Sequence, residues 1–154
     1  MPHIHEKIDF TIAAYIVHKD KVLLIHHKEL SKWLPIGGHI ELNEDADEAL
    51  FRKIKEECGL SEKDLTISDN RPRIRSKGTK FLLTPQYVDI HEIRGSHRHI
   101  VLIYFMSSKK DKIKLKEHEH NEIRWFDKTE LKKTLMSPAL RFYATEALKM
   151  LRSK

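Results

Sequence analysis

Apolar positions along this 154-residue chain change period several times, and each change marks an element. Residues 10–17 are almost continuously apolar, after which Lys19-Asp20-Lys21 supplies a polar turn into Val22-Leu23-Leu24-Ile25. Such runs, bounded by a turn, read as buried strands. Residues 33–38, Trp-Leu-Pro-Ile-Gly-Gly, read as a loop in which the paired glycines permit backbone angles denied to other residues. From 45 to 59 the period becomes helical: Ala46, Ala49, Leu50 and Ile54 share a face, Asp45 with Glu48 makes a capping-box signal, and Gly59 is a natural stop. Residues 81–93 and 97–106 read as strands around a turn at Gly95, 123–126 as a short strand, and Asp127 with Glu130 as the cap of a brief helix. A last helix starts at Ser137-Pro138, with Leu140, Tyr143, Ala144, Ala147, Leu148 and Leu151 at helical spacing. Strands interspersed with helices predict an α/β fold, a mixed sheet held between helices. With no repeat and no Pro/Gly/Ser-rich linker, residues 1–154 read as one domain.

Composition narrows the class. At 40% hydrophobic and 34% charged, the chain carries enough apolar material for a core and is too balanced for disorder. No apolar run approaches the roughly 18 residues of a membrane span, and the N-terminus lacks a signal-peptide pattern, so no membrane partner and a cytoplasmic location are expected. One cysteine, Cys58, allows no internal disulfide. A net charge of +6 favours encounters with phosphorylated molecules. The densest basic stretch, residues 71–80, lacks the interleaved aromatics of a nucleic-acid stacking platform. It reads first as a solvated loop and second as a phosphate-attracting wall of a substrate cleft, and a nucleic-acid partner is not expected. An exposed hydrophobic face on the last helix would argue for a homodimer.

The chemistry concentrates between residues 37 and 60, GGHIELNEDADEALFRKIKEECGL. Opposite its apolar side, the helix there carries Glu48, Arg52, Lys53, Glu56 and Glu57, with Glu44 just before it; Arg52 and Glu56, like Lys53 and Glu57, are four apart and can meet. An arbitrary charged helix of this kind is a solvated, salt-bridged surface. Here, however, Gly38, Glu44, Arg52, Ile54, Glu56, Glu57, Gly59 and Leu60 stand in the register Gly, five residues, Glu, seven residues, Arg-Glu-apolar-any-Glu-Glu-any-Gly-apolar, with one departure. This segment resembles the Nudix box of the MutT-like hydrolases. Six fixed identities at about 7% each would coincide at roughly one start position in ten million. The resemblance implies an α/β/α sandwich and a magnesium- or manganese-dependent pyrophosphohydrolase acting on a small-molecule nucleotide or nucleoside diphosphate derivative. It implies that Glu56 and Glu57 hold metal, that Arg52 orients the glutamates, that Glu44 supports them from behind, and that Gly37, Gly38 and Glu41 belong to the binding loop. Hard divalent cations take oxygen ligands of this kind, so the residue types agree.

The departure is Lys53, which stands where the family carries a glutamate. An ammonium there changes the local charge by two units within reach of Glu56 and Glu57. Two outcomes stay open: Lys53 turns away or helps bind substrate phosphate, and hydrolysis persists with a base from elsewhere; or the domain is a nucleotide-binding sensor that does not cleave. Residues 118–122, His-Glu-His-Asn-Glu, precede the apolar strand at 123–126 and offer Glu119 and Glu122 as replacement bases, with the neighbouring histidines as further choices. Eleven histidines raise the question of zinc, since His97 with His99 and His118 with His120 each place two imidazoles on one strand face. Without a third or fourth ligand at recognisable spacing, scattered surface histidines are the expectation.

Overall fold

The computed structural model describes residues 4–115 and 120–151. Strands β1 (Ile8–His18) and β2 (Lys21–His27) form a hairpin, followed by β3 (Lys32–Leu34), β4 (Ile36–His39) and helix α1 (Ala46–Cys58). A 3-10 turn (Glu62–Asp64) leads into β5 (Leu65–Thr66); then come β6 (Tyr87–Arg94), β7 (His97–Ser108), β8 (His120–Phe126), α2 (Lys128–Lys133) and α3 (Pro138–Leu151). All eight strands join one mixed sheet. β1 and β7 run parallel at its centre, from Ile8 opposite Arg98 to Val17 opposite Ser107. β2 and β4 lie antiparallel to β1, β5 and β6 antiparallel to β7, and β3 and β8 antiparallel to β2.

Side chains alternate across this sheet and sort the core into two layers. Ile12, Ala14 and Ile16 of β1 pack with Ala49, Leu50 and Ile54 of α1. Ala13, Tyr15 and Val17 pack on the other face with Leu140, Ala144 and Leu148 of α3. Because both faces are covered, β1 reads as an almost unbroken apolar run. The result is the expected α/β/α sandwich. Among the described residues, no helix is long and apolar enough to cross a membrane.

Two expectations need correction. Residues 33–38 are not a loop: all but Pro35 lie in β3 and β4, and β4 pairs with β1 through Ala13 opposite Gly37 and Ile12 opposite Gly38. Neither glycine has a positive φ. What they supply is closeness, since a Cβ on Gly37 would lie 2.4 Å from the Ile12 carbonyl oxygen. The strand expected over 81–93 begins only at Tyr87. Pro85 has no N–H to give to a ladder, and the Leu83 N–H donates to the carboxylate of Asp47 on α1. Helix α1 starts and stops as its sequence indicates: Asp45 and Glu48 complete a reciprocal capping box, and Gly59 closes the helix at φ 80°.

Candidate metal and phosphate site on the first helix

Arg52 organises the exposed side of α1. Its guanidinium donates two hydrogen bonds to Glu44, from Nε at 3.0 Å and from a terminal nitrogen at 2.6 Å. It also reaches Glu56 at 3.2 Å and the His39 carbonyl oxygen at 3.2 Å. One side chain thereby links the loop before α1, the helix and the end of β4. Glu44 accepts a further bond from the Glu41 N–H, while the Glu41 side chain is exposed. The Arg52 hydrogen bonds hold the Glu44 carboxyl below its ordinary range, and Glu44 in turn is the main cause that raises the Arg52 pKa. A planar fork on a carboxylate is the geometry in which arginine fixes position as well as charge.

Beside this network lies a buried trio. Lys53, Glu57 and His120 are 6%, 2% and 3% exposed, respectively. Lys53 does not turn away: its Nζ lies 3.6 Å from Glu57 Oε1 and 3.7 Å from Glu56 Oε2. Its stem crosses Gly38 so closely that a Cβ there would meet Lys53 Cε at 2.5 Å. Glu57 Oε2 is 3.7 Å from His120 Nε2, and this buried oxygen has no hydrogen-bond partner among the described residues. Polar groups of this type are seldom left bare in an interior, because each such atom loses its water for nothing in return. A solvated salt-bridged helix face would not bury three ionisable groups at separations too long for hydrogen bonds.

The segment before Phe126 does approach the helix, through His120. Between His26 and His27 the β2–β8 register slips, so that Glu122 pairs with His26 while His120 pairs with His27. Such a bulge re-aims the side chain beyond it. Glu122 shares the strand face of Arg124, whose guanidinium stacks on Phe126 in the α3-side core, and Glu122 Oε2 is 4.0 Å from Arg124. The structure therefore groups His120, not Glu122, with Glu57. Glu119 lies outside the described residues. Residues 72–80 are exposed, as a solvated loop should be, but the stretch is pinned at its ends by Arg71 on Asp69 and Lys80 on Asp45 at 2.7 Å. Arg71, Lys80, Asp47, Glu48 and Phe51 border a hollow of about 520 Å³ at the start of α1.

The box residues fit a divalent cation: two carboxylates with an orphaned buried oxygen, oriented by an arginine that is itself fixed by Glu44. Lys53 already contributes one positive charge to the same carboxylates, which lowers the capacity for bound cations without removing the donor set.

The histidines depart from the scattered surface pattern expected of them. His39 and His97 are buried at 4% and 6% exposure, and His39, His97 and His99 all turn towards Asp9. The spacing of His97 and His99 displays two of its members, but Asp9 and His39 come from β1 and β4 and no sequence spacing joins them to the pair.

Residues 9–145 match the family model described as NUDIX domain. Among solved structures, a NUDIX-family hydrolase from Clostridium perfringens is 32% identical over 94% of this chain and 98% of its own, with a TM-score of 0.79. A C. elegans Ap4A hydrolase in a binary complex is 19% identical, covering 93% of this chain and 99% of that one at a TM-score of 0.71. The dihydroneopterin triphosphate pyrophosphohydrolase of E. coli is also 19% identical, with 95% and 100% covered and a TM-score of 0.69. No curated protein sequence matches the chain.

Proposed function

This chain belongs to the NUDIX family, and from that premise we propose that it is a single-domain, magnesium- or manganese-dependent hydrolase of a pyrophosphate bond in a nucleotide or nucleoside diphosphate derivative. The observation that carries the proposal is Glu57, buried with one oxygen unpartnered among the described residues, beside Glu56, Lys53 and His120. Glu56 and Glu57 would hold the cation, which when bound polarises phosphoryl oxygens and lowers the pKa of water. Arg52 keeps Glu56 and Glu44 in place and ties both to the end of β4. Lys53, whose Nζ lies 3.6 Å from Glu57 and 3.7 Å from Glu56, presents its ammonium to phosphate oxygens arriving at the carboxylates. His120 Nε2, 3.7 Å from Glu57 Oε2, would take a proton from an attacking water, and Glu119 is the other candidate base in the same segment. Two of the relatives support the substrate class, one being an Ap4A hydrolase and the other a dihydroneopterin triphosphate pyrophosphohydrolase.

A second reading, a nucleotide-binding sensor that does not cleave, is favoured by the contact of Lys53 with both metal-type carboxylates. One experiment separates the two. Purified protein is incubated with magnesium and a panel of nucleoside triphosphates, dinucleoside polyphosphates, nucleotide sugars and dinucleotide cofactors, and phosphate-containing products are measured. Release from one class is expected, and Glu57→Gln should reduce it by at least about 100-fold, since loss of mere supporting partners of a metal site already costs 10–100-fold. Tight binding without release would establish the sensor, and unchanged turnover in both Glu56→Gln and Glu57→Gln would remove the metal assignment.

A further inference from the structure

Alternation along β1 carries Asp9 to the sheet face covered by α3, in line with Ala13, Tyr15 and Val17. The parallel register sets Asp9 beside His99 and continues without a slip through Ala13 beside Ile103 and Tyr15 beside Phe105, all in the α3-side core. His97, two residues before His99, shares that face. His39 pairs with Thr11 and follows Gly38, which faces Lys53 of α1, so its ring projects to the opposite side from the box carboxylates.

All three imidazoles present the same atom to the same oxygen. Nε2 of His39, His97 and His99 lie 2.9, 3.3 and 4.0 Å from Asp9 Oδ2. Ligand atoms of Asp9, His39 and His99 fall within 4.8 Å of one another. In a tetrahedral zinc site with bonds of about 2.0–2.1 Å, ligand atoms stand about 3.3 Å apart, so this group needs only small side-chain adjustment to close on an ion. The other end of His97 is informative. Its Nδ1 is 3.0 Å from the Glu6 carbonyl oxygen, which only accepts, so Nδ1 carries the hydrogen. The ring atom turned to Asp9 is therefore Nε2, the one that acts as a ligand in that tautomer. A carbonyl holding the far N–H is also the support that metal-bound histidines characteristically have. Asp9 is held in place from behind, its Oδ1 accepting from the His5 N–H at 2.6 Å and its Oδ2 from the Ile4 N–H at 3.2 Å.

We propose that Asp9, His39 and His99, with His97 as the fourth ligand, form a zinc-class metal site that joins β1, β4 and β7 on the face of the sheet opposite the box carboxylates. Three imidazoles with one carboxylate select zinc and its neighbours, whereas magnesium prefers an all-oxygen set such as Glu56 and Glu57. The site is coupled to the box through one residue, because the carbonyl of His39 is the acceptor for Arg52. A metal that fixes His39 would fix the end of β4 on which Arg52 is seated.

Tag-free protein is stripped with a chelator, returned to saturating magnesium, and titrated with zinc or cobalt(II). Uptake of one zinc per chain, an intense tetrahedral cobalt spectrum and a zinc-dependent rise in Tm are expected. His99→Gln and His39→Gln should weaken uptake at least tenfold, while Glu57→Gln should leave it intact. No stoichiometric uptake, a weak octahedral cobalt spectrum, uptake unchanged by His99→Gln, or uptake abolished by Glu57→Gln would each overturn the site. If His39→Gln does not fold, the wild-type spectrum and His99→Gln, at the partly exposed rim, decide the matter. Because these readouts do not involve hydrolysis, they stand or fall independently of the proposed activity.

Discussion

The two adjacent glycines provide a test of how this site is built, because alanine at each should do different things. At Gly37 a Cβ would sit 2.4 Å from the Ile12 carbonyl oxygen and 3.2 Å from Ala13 Cα, both backbone atoms of the central strand. Relief requires β4 to move off β1, at the centre of a four-pair ladder from Thr11–His39 to Ala14–Ile36. Overpacking a close-packed interior costs about 1–3 kcal/mol, and the rigid obstruction puts this case at the upper end. The stiffer unfolded chain of an alanine variant returns about 0.4–1 kcal/mol, which leaves Gly37→Ala destabilised by about 2 kcal/mol. At Gly38 the obstruction is Lys53 Cε at 2.5 Å, the far end of a flexible side chain. Lys53 can swing aside, so Gly38→Ala should stay within about 0.5 kcal/mol of the parent. With a urea m-value of about 2 kcal/mol/M, these figures correspond to a midpoint lowered by about 1 M for Gly37→Ala and almost unmoved for Gly38→Ala. Equal midpoints, or a larger loss for Gly38→Ala, would refute the claim that Gly37 is required by backbone approach and Gly38 by the lysine above it.

Two further outcomes follow from the same geometry. Lys53→Met keeps an apolar stem over Gly38 but removes the ammonium 3.6 Å from Glu57, so magnesium affinity measured by calorimetry should rise by about tenfold or more, and an unchanged affinity would show that Lys53 does not compete for the carboxylates. Cys58 is fully buried and donates to the Ile54 carbonyl oxygen, and burial pushes its thiol up to about 11, so a thiol reagent at pH 8 should label it only at the rate of unfolding; rapid labelling of native protein would contradict the packing of α1.

What the sequence made legible, and what it hid, divides along one physical line. Local signals were sufficient wherever a residue's partner is a few positions away: the Asp45–Glu48 box, the Gly59 stop and the Arg52–Glu56 pair are all helix-turn relations, and all three form. The pairing of Lys53 with Glu57 was legible for the same reason, but its burial was not, because that depends on Gly38 and His120 arriving from elsewhere. Glu122 and His120 illustrate the difference sharply. They lie two residues apart, and plain alternation would give them one face; a register slip against β2, invisible in the chain itself, sends only His120 to Glu57. The Asp9 cluster is the extreme case. Its pairs span 30 and 90 residues, from Asp9 to His39 and to His99, and it exists only because β1 and β7 run parallel in one register. A one-residue shift of that register would turn Asp9 and His99 to opposite faces. The continuous apolar pairing that fixes the register, Ile12 to Leu102 through Ile16 to Met106, is therefore also what assembles the histidines, so the core and the proposed second metal site are specified by the same strand contact.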